Sequence, residues 1–360
     1  MPRPIEPIPQ PPSRVLIVRL SALGDVVHCL PAIAALRAHW PNTKFDAVTE
    51  ELGRIVLEGH PEIDRLLVLQ RKAWLRDLRR GRGLVRHGRA AVAFARELRA
   101  HRYDAIVDFQ GNSRSFGIGL VARAPVRFTH HRSEVKESGA IGARSPAEPA
   151  GRGHRIDKNL HLVRALGWSG ELSDVVPKHE RSLVEETEAR RARPVLVQPF
   201  VSRHGLFKQW PVESFVRLIR SLRERAIEVV LSCGPGEEED ARALVAACPP
   251  GVTISPPTPT AAEFAALLES ARVFVAADTG PLHLAAHLGT PVVGLYGPKD
   301  PAVYAPRGER ARILRSGIAC SPCTLRRCSH AACMQLLPAE RVTRAVLELC
   351  GVPTQTVPSR

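Results

Sequence analysis

The chain has 360 residues, 44% of them apolar, with 51 basic against 36 acidic side chains and a formal net charge of +15. That length and apolar share support two full cores, and no apolar run approaches the roughly 20 residues a bilayer requires, so a disordered chain and a helical membrane span are both set aside. The charge favours anionic partners such as nucleic acid, an acidic membrane surface or phosphorylated small molecules, although an arginine-rich composition accounts for part of it without any site.

The opening residues, "MPRPIEPIPQPPS", lack the apolar centre of a secretory signal. Residues 1–13 are therefore expected to be a disordered proline-rich tail, and the protein to be cytoplasmic. Next comes "RVLIVRLSALGDVVHCLPAIAALRAHW", a strand over 14–20, a short loop and a helix over 29–39. The loop has one glycine where a dinucleotide fingerprint needs three, and it closes on an acid. Gly24 would permit a tight turn or close approach to a ligand. Asp25, near the helix N-terminus, would either cap that helix or, turned toward a ligand, accept a proton from a hydroxyl.

Further strands are expected over 44–49, 65–69, 105–109 and 126–128, with a helix over 90–101. Alternating strands and helices read as α/β with mainly parallel sheets. Basic residues are densest over 71–102, where aromatic residues are too sparse to serve as stacking platforms for single-stranded nucleic acid. The stretch 129–154 is polar, small and glycine-rich and reads as a mobile loop. A charged connection follows. The boundaries expected are a first domain over 14–175, a linker over 176–193, a second domain over 194–350 and a tail over 351–360.

The second half repeats the pattern, with strands over 194–198, 228–233, 252–254, 273–276 and 292–296 and helices over 212–225, 237–247, 261–270 and 281–287. The result expected is two Rossmann-like domains facing across a cleft, with ligands at the carboxyl ends of the strands. Three loops carry chemistry. "FKQWP" places Lys208 after a strand, where it would neutralise a diphosphate. "GPGEEE" offers Glu237 or Glu238 to the hydroxyls of a ribose, although acids at a helix start also satisfy the dipole. "ADTGPLH" puts Asp278, Thr279, Gly280 and His283 around a helix start marked by Pro281, an anion site made of free N–H groups.

Cysteine supplies one more pattern. Cys320, Cys323, Cys328 and Cys333 stand in "CSPCTLRRCSHAAC", a spacing that allows a tetrahedral zinc but whose later intervals fit zinc modules poorly, so reduced or partly disulfide-linked thiols are the competing reading. Cys29, Cys233, Cys248 and Cys350 are isolated and read as packing residues.

In order and spacing, "SALGDVVHCLPAIAALR", "YDAIVDFQGNSRS", "HRIDKNLHLVRALG", "FKQWP", "GPGEEE" and "ADTGPLHLAAHLGTPVVGLYGPKDP" resemble the ADP-heptose:lipopolysaccharide heptosyltransferases, glycosyltransferase family 9. "RKAWLRDL" is most similar to their first subfamily. The resemblance implies the two-domain GT-B architecture and an inverting, metal-independent transfer of heptose from ADP-heptose to a lipopolysaccharide core acceptor, Kdo or heptose of the inner core. It implies Asp25 as catalytic base and Lys208 as the cation on the leaving diphosphate. Gly24, Ser202, Glu238, Asp278, Thr279, Gly280 and His283 become donor contacts, and Arg71, Lys72 and Lys136 grip anionic groups of the acceptor. It implies no cofactor, an anionic glycolipid as partner, and peripheral attachment to the inner face of the inner membrane. Lys136 stands where the family has an arginine, and "VSRHGL" departs from the usual hydroxyl pair. Three other readings stand beside it: a related enzyme with another nucleotide sugar and a capsule or O-antigen acceptor, a non-catalytic binder of nucleic acid or anionic membrane, and a nicotinamide oxidoreductase, whose three-glycine fingerprint is missing.

Overall fold

The computed structural model describes residues 3–6, 8, 10–80, 83–175, 192–323, 325 and 328–353, without the side chains of residues 72, 73, 78, 79, 84 and 204. The chain divides into two units, Met1–Val176 and Pro177–Arg360. That division falls at the start of the linker expected over 176–193, most of which lies outside the described residues, as do residues 354–360 of the expected tail.

In the first unit, strands β1 (Arg3–Pro4), β2 (Arg14–Val18), β3 (Lys44–Glu50), β4 (Arg65–Leu69), β5 (Ala105–Asp108), β6 (Arg127–Thr129) and β7 (Arg144–Ser145) form one sheet in the order β1-β7-β6-β5-β2-β3-β4 among the described residues. Every pairing in it is parallel. Parallel neighbours need crossovers, so helices cover both faces and a central strand is apolar on both sides. In β2, Val15, Leu16, Ile17 and Val18 are all 0% exposed. Crossover helices Leu30–His39, Glu51–Leu57, Leu84–Leu98 and Ser113–Ala122 help close a core that includes Leu16, Val18, Val48, Leu98, Ile106 and Ile118.

Three expectations for this unit change. The described residues of 1–13 are tied to the unit rather than free: Arg3 and Pro4 pair with Arg144 and Ser145, and the buried Thr43 hydroxyl donates to the Pro12 carbonyl at 2.6 Å. A proline-rich segment lacks donors but keeps its carbonyls, which suits a sheet edge. The stretch 129–154, expected to be a mobile loop, contains 3-10 turns Arg132–Glu134 and Glu137–Ala140 and strand β7. Small residues let its backbone close on the unit: Lys136 N–H donates to Gly111 O at 2.9 Å, and Arg127 Nη2 to Ile141 O at 2.7 Å. The helix expected over 90–101 is Leu84–Leu98. It begins earlier because His87 and Leu98, three turns apart on one face, are both buried.

The second unit holds β8 (Val195–Gln198), β9 (Val229–Leu231), β10 (Val252–Ile254), β11 (Val273–Ala277), β12 (Val292–Leu295) and β13 (Ala311–Leu314), in the order β10-β9-β8-β11-β12-β13 and again parallel throughout. Edge strand β13 was not legible, because its sequence ARIL is half-buried and interrupted by arginine. Its core gathers Trp210, Phe215, Val275, Leu295, Met334, Val342 and Val346, so the C-terminal helix Ala339–Leu349 belongs to this unit. In each unit the strand order reverses about a central pair, β2–β5 and β8–β11, and loops leaving the carboxyl ends there line the natural ligand crevice of an open parallel sheet.

Two glycines test this packing. A Cβ on Gly139 would lie 2.5 Å from the Gly111 carbonyl carbon and oxygen, whereas one on Gly117 meets nothing within 4 Å. Gly139→Ala is expected to cost about 1–3 kcal/mol by overpacking, and Gly117→Ala, inside helix Ser113–Ala122, to stabilise by about 0.5–1 kcal/mol. Urea unfolding of the two variants checks both signs.

Candidate functional site

In the first unit, the residues singled out from the sequence leave the carboxyl ends of strands: Asp25 after β2, Arg71 and Lys72 after β4, Lys136 after β6. Gly24 and Asp25 lie within the short helix Leu23–Val27. The Ser21–Ala22 peptide bond before it is cis. Gly24 is not among the left-handed glycines, so a tight turn is not its reason. Asp25 performs its capping role, since Oδ2 accepts the Ala22 N–H at 3.3 Å. The same oxygen pairs with Arg19 Nη2 at 2.9 Å, and the carboxylate stays about one-third exposed, at 36%. Cap and base are therefore compatible uses of one side chain.

Arg19 was not found from the sequence. It directly follows the buried strand β2, only 13% exposed, and its other Nη donates to the Phe109 carbonyl. The signal was there: a guanidinium inside an otherwise apolar run is costly unless paired. Behind the loop, burial pushes the Cys29 thiol up to about 12, which agrees with a packing role. His130 is held well below its ordinary value by burial and by the nearby Lys158 cation.

Arg71 does not stand alone either. Its Nε lies 2.8 Å from Glu50 Oε1, and Arg114 Nη1 reaches the same oxygen at 2.8 Å. Glu50 carried no sequence motif, and Arg114, inside "YDAIVDFQGNSRS", was not singled out. Lys136 is exposed, with its backbone N–H on Gly111 O at 2.9 Å. The side chain of Lys72 lies outside the described residues.

In the second unit the candidates leave β8, β9 and β11. Lys208 Nζ donates to Asp278 Oδ2 at 2.5 Å and to Asp278 O at 2.8 Å, and His283 Nε2 lies 3.2 Å from Oδ1. Burial would raise the Asp278 carboxyl, but the bonds from His283 and Lys208 hold it well below the usual carboxylate range. Tyr296, buried against Asp278, has its hydroxyl pushed well above its ordinary value by burial and by that carboxylate. Both Asp278 carboxylate oxygens are taken up by Lys208 and His283, so the carboxylate orients these two side chains.

Helix Gly280–His287 begins beside it, with Pro281 in its first turn and Thr279 at the cap making no side-chain cap bond. The first N–H groups thus stay available for an anion. Among the described residues Thr279 Oγ1 and Gln198 Oε1 are buried without a hydrogen-bond partner. Of the two glutamates read for ribose, Glu237 closes its own turn by accepting the Gly234 N–H at 2.7 Å. Glu238, at the start of helix Glu238–Ala246, is exposed and held below its ordinary value by backbone N–H groups. Ser202 is exposed at the head of the 3-10 turn Arg203–Lys208.

The four clustered cysteines are free thiols, Cys320 and Cys328 exposed, Cys323 half-buried and Cys333 buried. Among the described residues, no group of three or more His, Cys, Asp or Glu is placed to hold a metal ion.

Residues 91–333 match the family model of glycosyltransferase family 9 (heptosyltransferase). Lipopolysaccharide heptosyltransferase 1 of Pseudomonas aeruginosa is 30% identical over 323 residues, covering 88% of each chain. Lipopolysaccharide heptosyltransferase 3 of Escherichia coli K12 is 25% identical over 79% of this chain and 83% of its own. In three dimensions the chain is similar to E. coli heptosyltransferase WaaC with ADP, with a TM-score of 0.74, 24% identity, and coverage of 93% of this chain and 99% of that one.

The Asp278 arrangement predicts a pH dependence. Its folded-state pKa lies below the ordinary carboxylate value, so its pairs stabilise the fold above about pH 4, and that contribution fades as pH falls. Asp278→Asn is expected to cost about 3–5 kcal/mol at pH 7. The gap from wild type should narrow progressively below about pH 4, as urea unfolding at several pH values would report.

Proposed function

Because the chain belongs to glycosyltransferase family 9, the heptosyltransferases, we propose that this glycosyltransferase moves heptose from ADP-heptose to an inner-core sugar of lipopolysaccharide by an inverting, metal-independent single displacement. The observation that carries the reading is the set around Asp278 in the second unit. Lys208 and the unfilled N-terminus of helix Gly280–His287 supply positive charge at one strand end, with the His283 ring beside them, and exposed Glu238 stands at the end of β9. That combination suits a nucleoside diphosphate: a ribose diol for the glutamate, two phosphates for the cation and the helix start.

In the proposed step, the acceptor hydroxyl oxygen attacks the anomeric carbon of the heptose while the bond from that carbon to the distal phosphate oxygen breaks. Asp25 takes the hydroxyl proton. The pairing with Arg19 keeps its carboxylate oriented, and its remaining exposure leaves it accessible to an acceptor. Negative charge grows on the leaving phosphate as the sugar becomes oxocarbenium-like, and Lys208 and the Gly280 and Leu282 N–H groups answer that charge. Pro281 removes one N–H from the row, which leaves its neighbours to do the binding.

Attachment to an anionic membrane surface forms part of the proposal. No described helix is long and apolar enough to cross a membrane. On helix Leu84–Leu98, Val85 and Val92 are 69% and 51% exposed. They lie two turns apart on one face, with the exposed Arg89 and Arg96 continuing it. Apolar side chains among guanidinium groups suit a headgroup region.

The direct test is incubation with ADP-heptose and a panel of truncated lipopolysaccharides, read by mass spectrometry; product gain of one heptose is expected. Asp25→Ala should lower turnover by about 10²–10⁴-fold while calorimetry shows ADP binding intact, and substantial residual transfer would reject Asp25 as base. Lys208→Met should weaken ADP binding and turnover together, by roughly 10²-fold or more in kcat. Val92→Glu should reduce binding to anionic vesicles in a flotation assay and leave ADP binding as it was.

A further inference from the structure

The proposed transfer makes no use of the four clustered cysteines, yet the segment that carries them is bound to the loop leaving β12. Cys323 N–H donates to Pro298 O at 2.9 Å, and Ser321 Oγ donates to Gly297 O at 2.5 Å. Arg315 pins the segment from its other side, with its guanidinium on the Ser321 carbonyl. On the same dipeptide, a Cβ on Gly297 would lie 2.9 Å from Cys333 Sγ, so only glycine lets that sulfur pack on the backbone. Cys323 and Cys333 therefore sit against two consecutive residues. Cys333 is buried and Cys323 half-buried, while Cys320 and Cys328 are exposed. Burial pushes the Cys333 thiol up, and the three neighbouring thiols, Cys323 foremost, add to it.

The loop these residues grip is joined to the Asp278 set. Strands β11 and β12 pair with Ala277 beside Leu295, so Asp278 and Tyr296 leave adjacent strand ends together. Tyr296 is fully buried, with its hydroxyl against the Asp278 carboxylate, and Gly297 follows it directly. Contact thus runs from the cysteines through Gly297 and Tyr296 to Asp278, and from there to Lys208 and His283. Close-packed groups cannot absorb a displacement locally, so a shift at Gly297 is felt along that row.

We infer that Cys323 and Cys333 form a reversible disulfide, and that closing it weakens the binding of a nucleoside diphosphate at the Asp278 set. The second half rests on the donor reading proposed above; the first half does not. The oxidant is a small-molecule disulfide. Cys323 thiolate attacks one of its sulfurs and expels one thiolate, which leaves a mixed disulfide. Cys333 gives its proton to solvent, attacks the Cys323 sulfur and expels the second thiolate. The two protein thiols lose two electrons and two protons, and the small disulfide becomes two thiols. Bond formation brings the sulfurs closer than free thiols can pack, so Gly297 and Pro298, held by both residues, move, and Tyr296 moves with them. Asp278 then loses the neighbour that fixes it, and Lys208 loses its aim.

The experiment treats the full chain with oxidised glutathione, maps linked peptides by mass spectrometry and measures ADP binding by calorimetry. A Cys323–Cys333 link is expected in wild type and in the double variant Cys320→Ser with Cys328→Ser. It should be absent from Cys333→Ser and from Cys323→Ser, the latter altering a half-buried position rather than the core. Closure should quicken as pH rises from about 7 to 9, because the thiolate is the attacking form. In the double variant, oxidation should weaken ADP binding about 10-fold, the order of one misplaced charge-assisted bond, and dithiothreitol should restore it. Cys323→Ser should bind ADP equally well after either treatment. Amide hydrogen exchange over residues 296–300, measured without ligand, should rise in the linked form alone. The inference is overturned if no link forms, if a different pair is joined, or if a bound metal ion keeps the thiols unreactive. Unchanged ADP affinity or unchanged exchange in the linked form would overturn it too, as would an equal response to oxidation in Cys323→Ser. Failure of the reduced protein to bind ADP would instead sink the donor reading, and the disulfide would still be judged by the peptide map and by hydrogen exchange.

Discussion

In a parallel sheet each strand is entered from the same end, so every loop leaving a strand's carboxyl end lies along one edge. Both units of this chain are parallel throughout their described pairings, and that constraint collects residues far apart in sequence. Arg19, Glu50, Arg71 and Arg114 span nearly one hundred positions, yet they leave four strands that neighbour one another in the order β5-β2-β3-β4. Lys208, Glu238 and Asp278 follow β8, β9 and β11, which are likewise adjacent. The apolar interior of each strand is the means, and the polar strand ends are the consequence.

A second regularity concerns charge. A chain with a formal net charge of +15 has cations to spare, but a flexible surface lysine or arginine makes a poor binding group because its rotamer freedom must be lost on contact. At each candidate site a carboxylate removes that freedom in advance. Asp278 holds Lys208 and His283, Asp25 holds Arg19, and Glu50 holds Arg71 and Arg114. Two of these acids, Asp278 and Glu50, are nearly fully buried. A buried acid that fixes a half-exposed base converts mobile charge into directed charge, the kind that acts in a transition state.

Much of this was legible in the linear sequence. Apolar runs such as "RVLIV" and "RVFVAA" are buried in β2 and β11 as expected, and the strands over 65–69 and 252–254 were found to the residue. Pro281 after an Asp-Thr-Gly turn marks a helix start by local sterics alone. Asp25 was singled out because a single-glycine loop ending in an acid departs from a phosphate cradle. These signals are short-range: a dihedral preference, a missing N–H, a run of side chains that avoid water.

What remained hidden was decided by pairing at a distance. Nothing in "TEELGR" distinguishes Glu50, buried under two arginines, from Glu51, which is exposed, because the partners lie 21 and 64 positions away. Asp278 read as a ligand contact, and its pairing with Lys208 arriving from β8 was not legible beside that reading. Glu237 and Glu238 are neighbours with one chemistry, separated only by which of them closes the turn on Gly234. The proline-rich start became an edge strand because β7, some 140 residues later, offers it a partner. Local sequence settled what each segment prefers; the tertiary structure settled which charges meet, because an ion pair's free energy depends on separation and burial, and neither exists until the chain has folded.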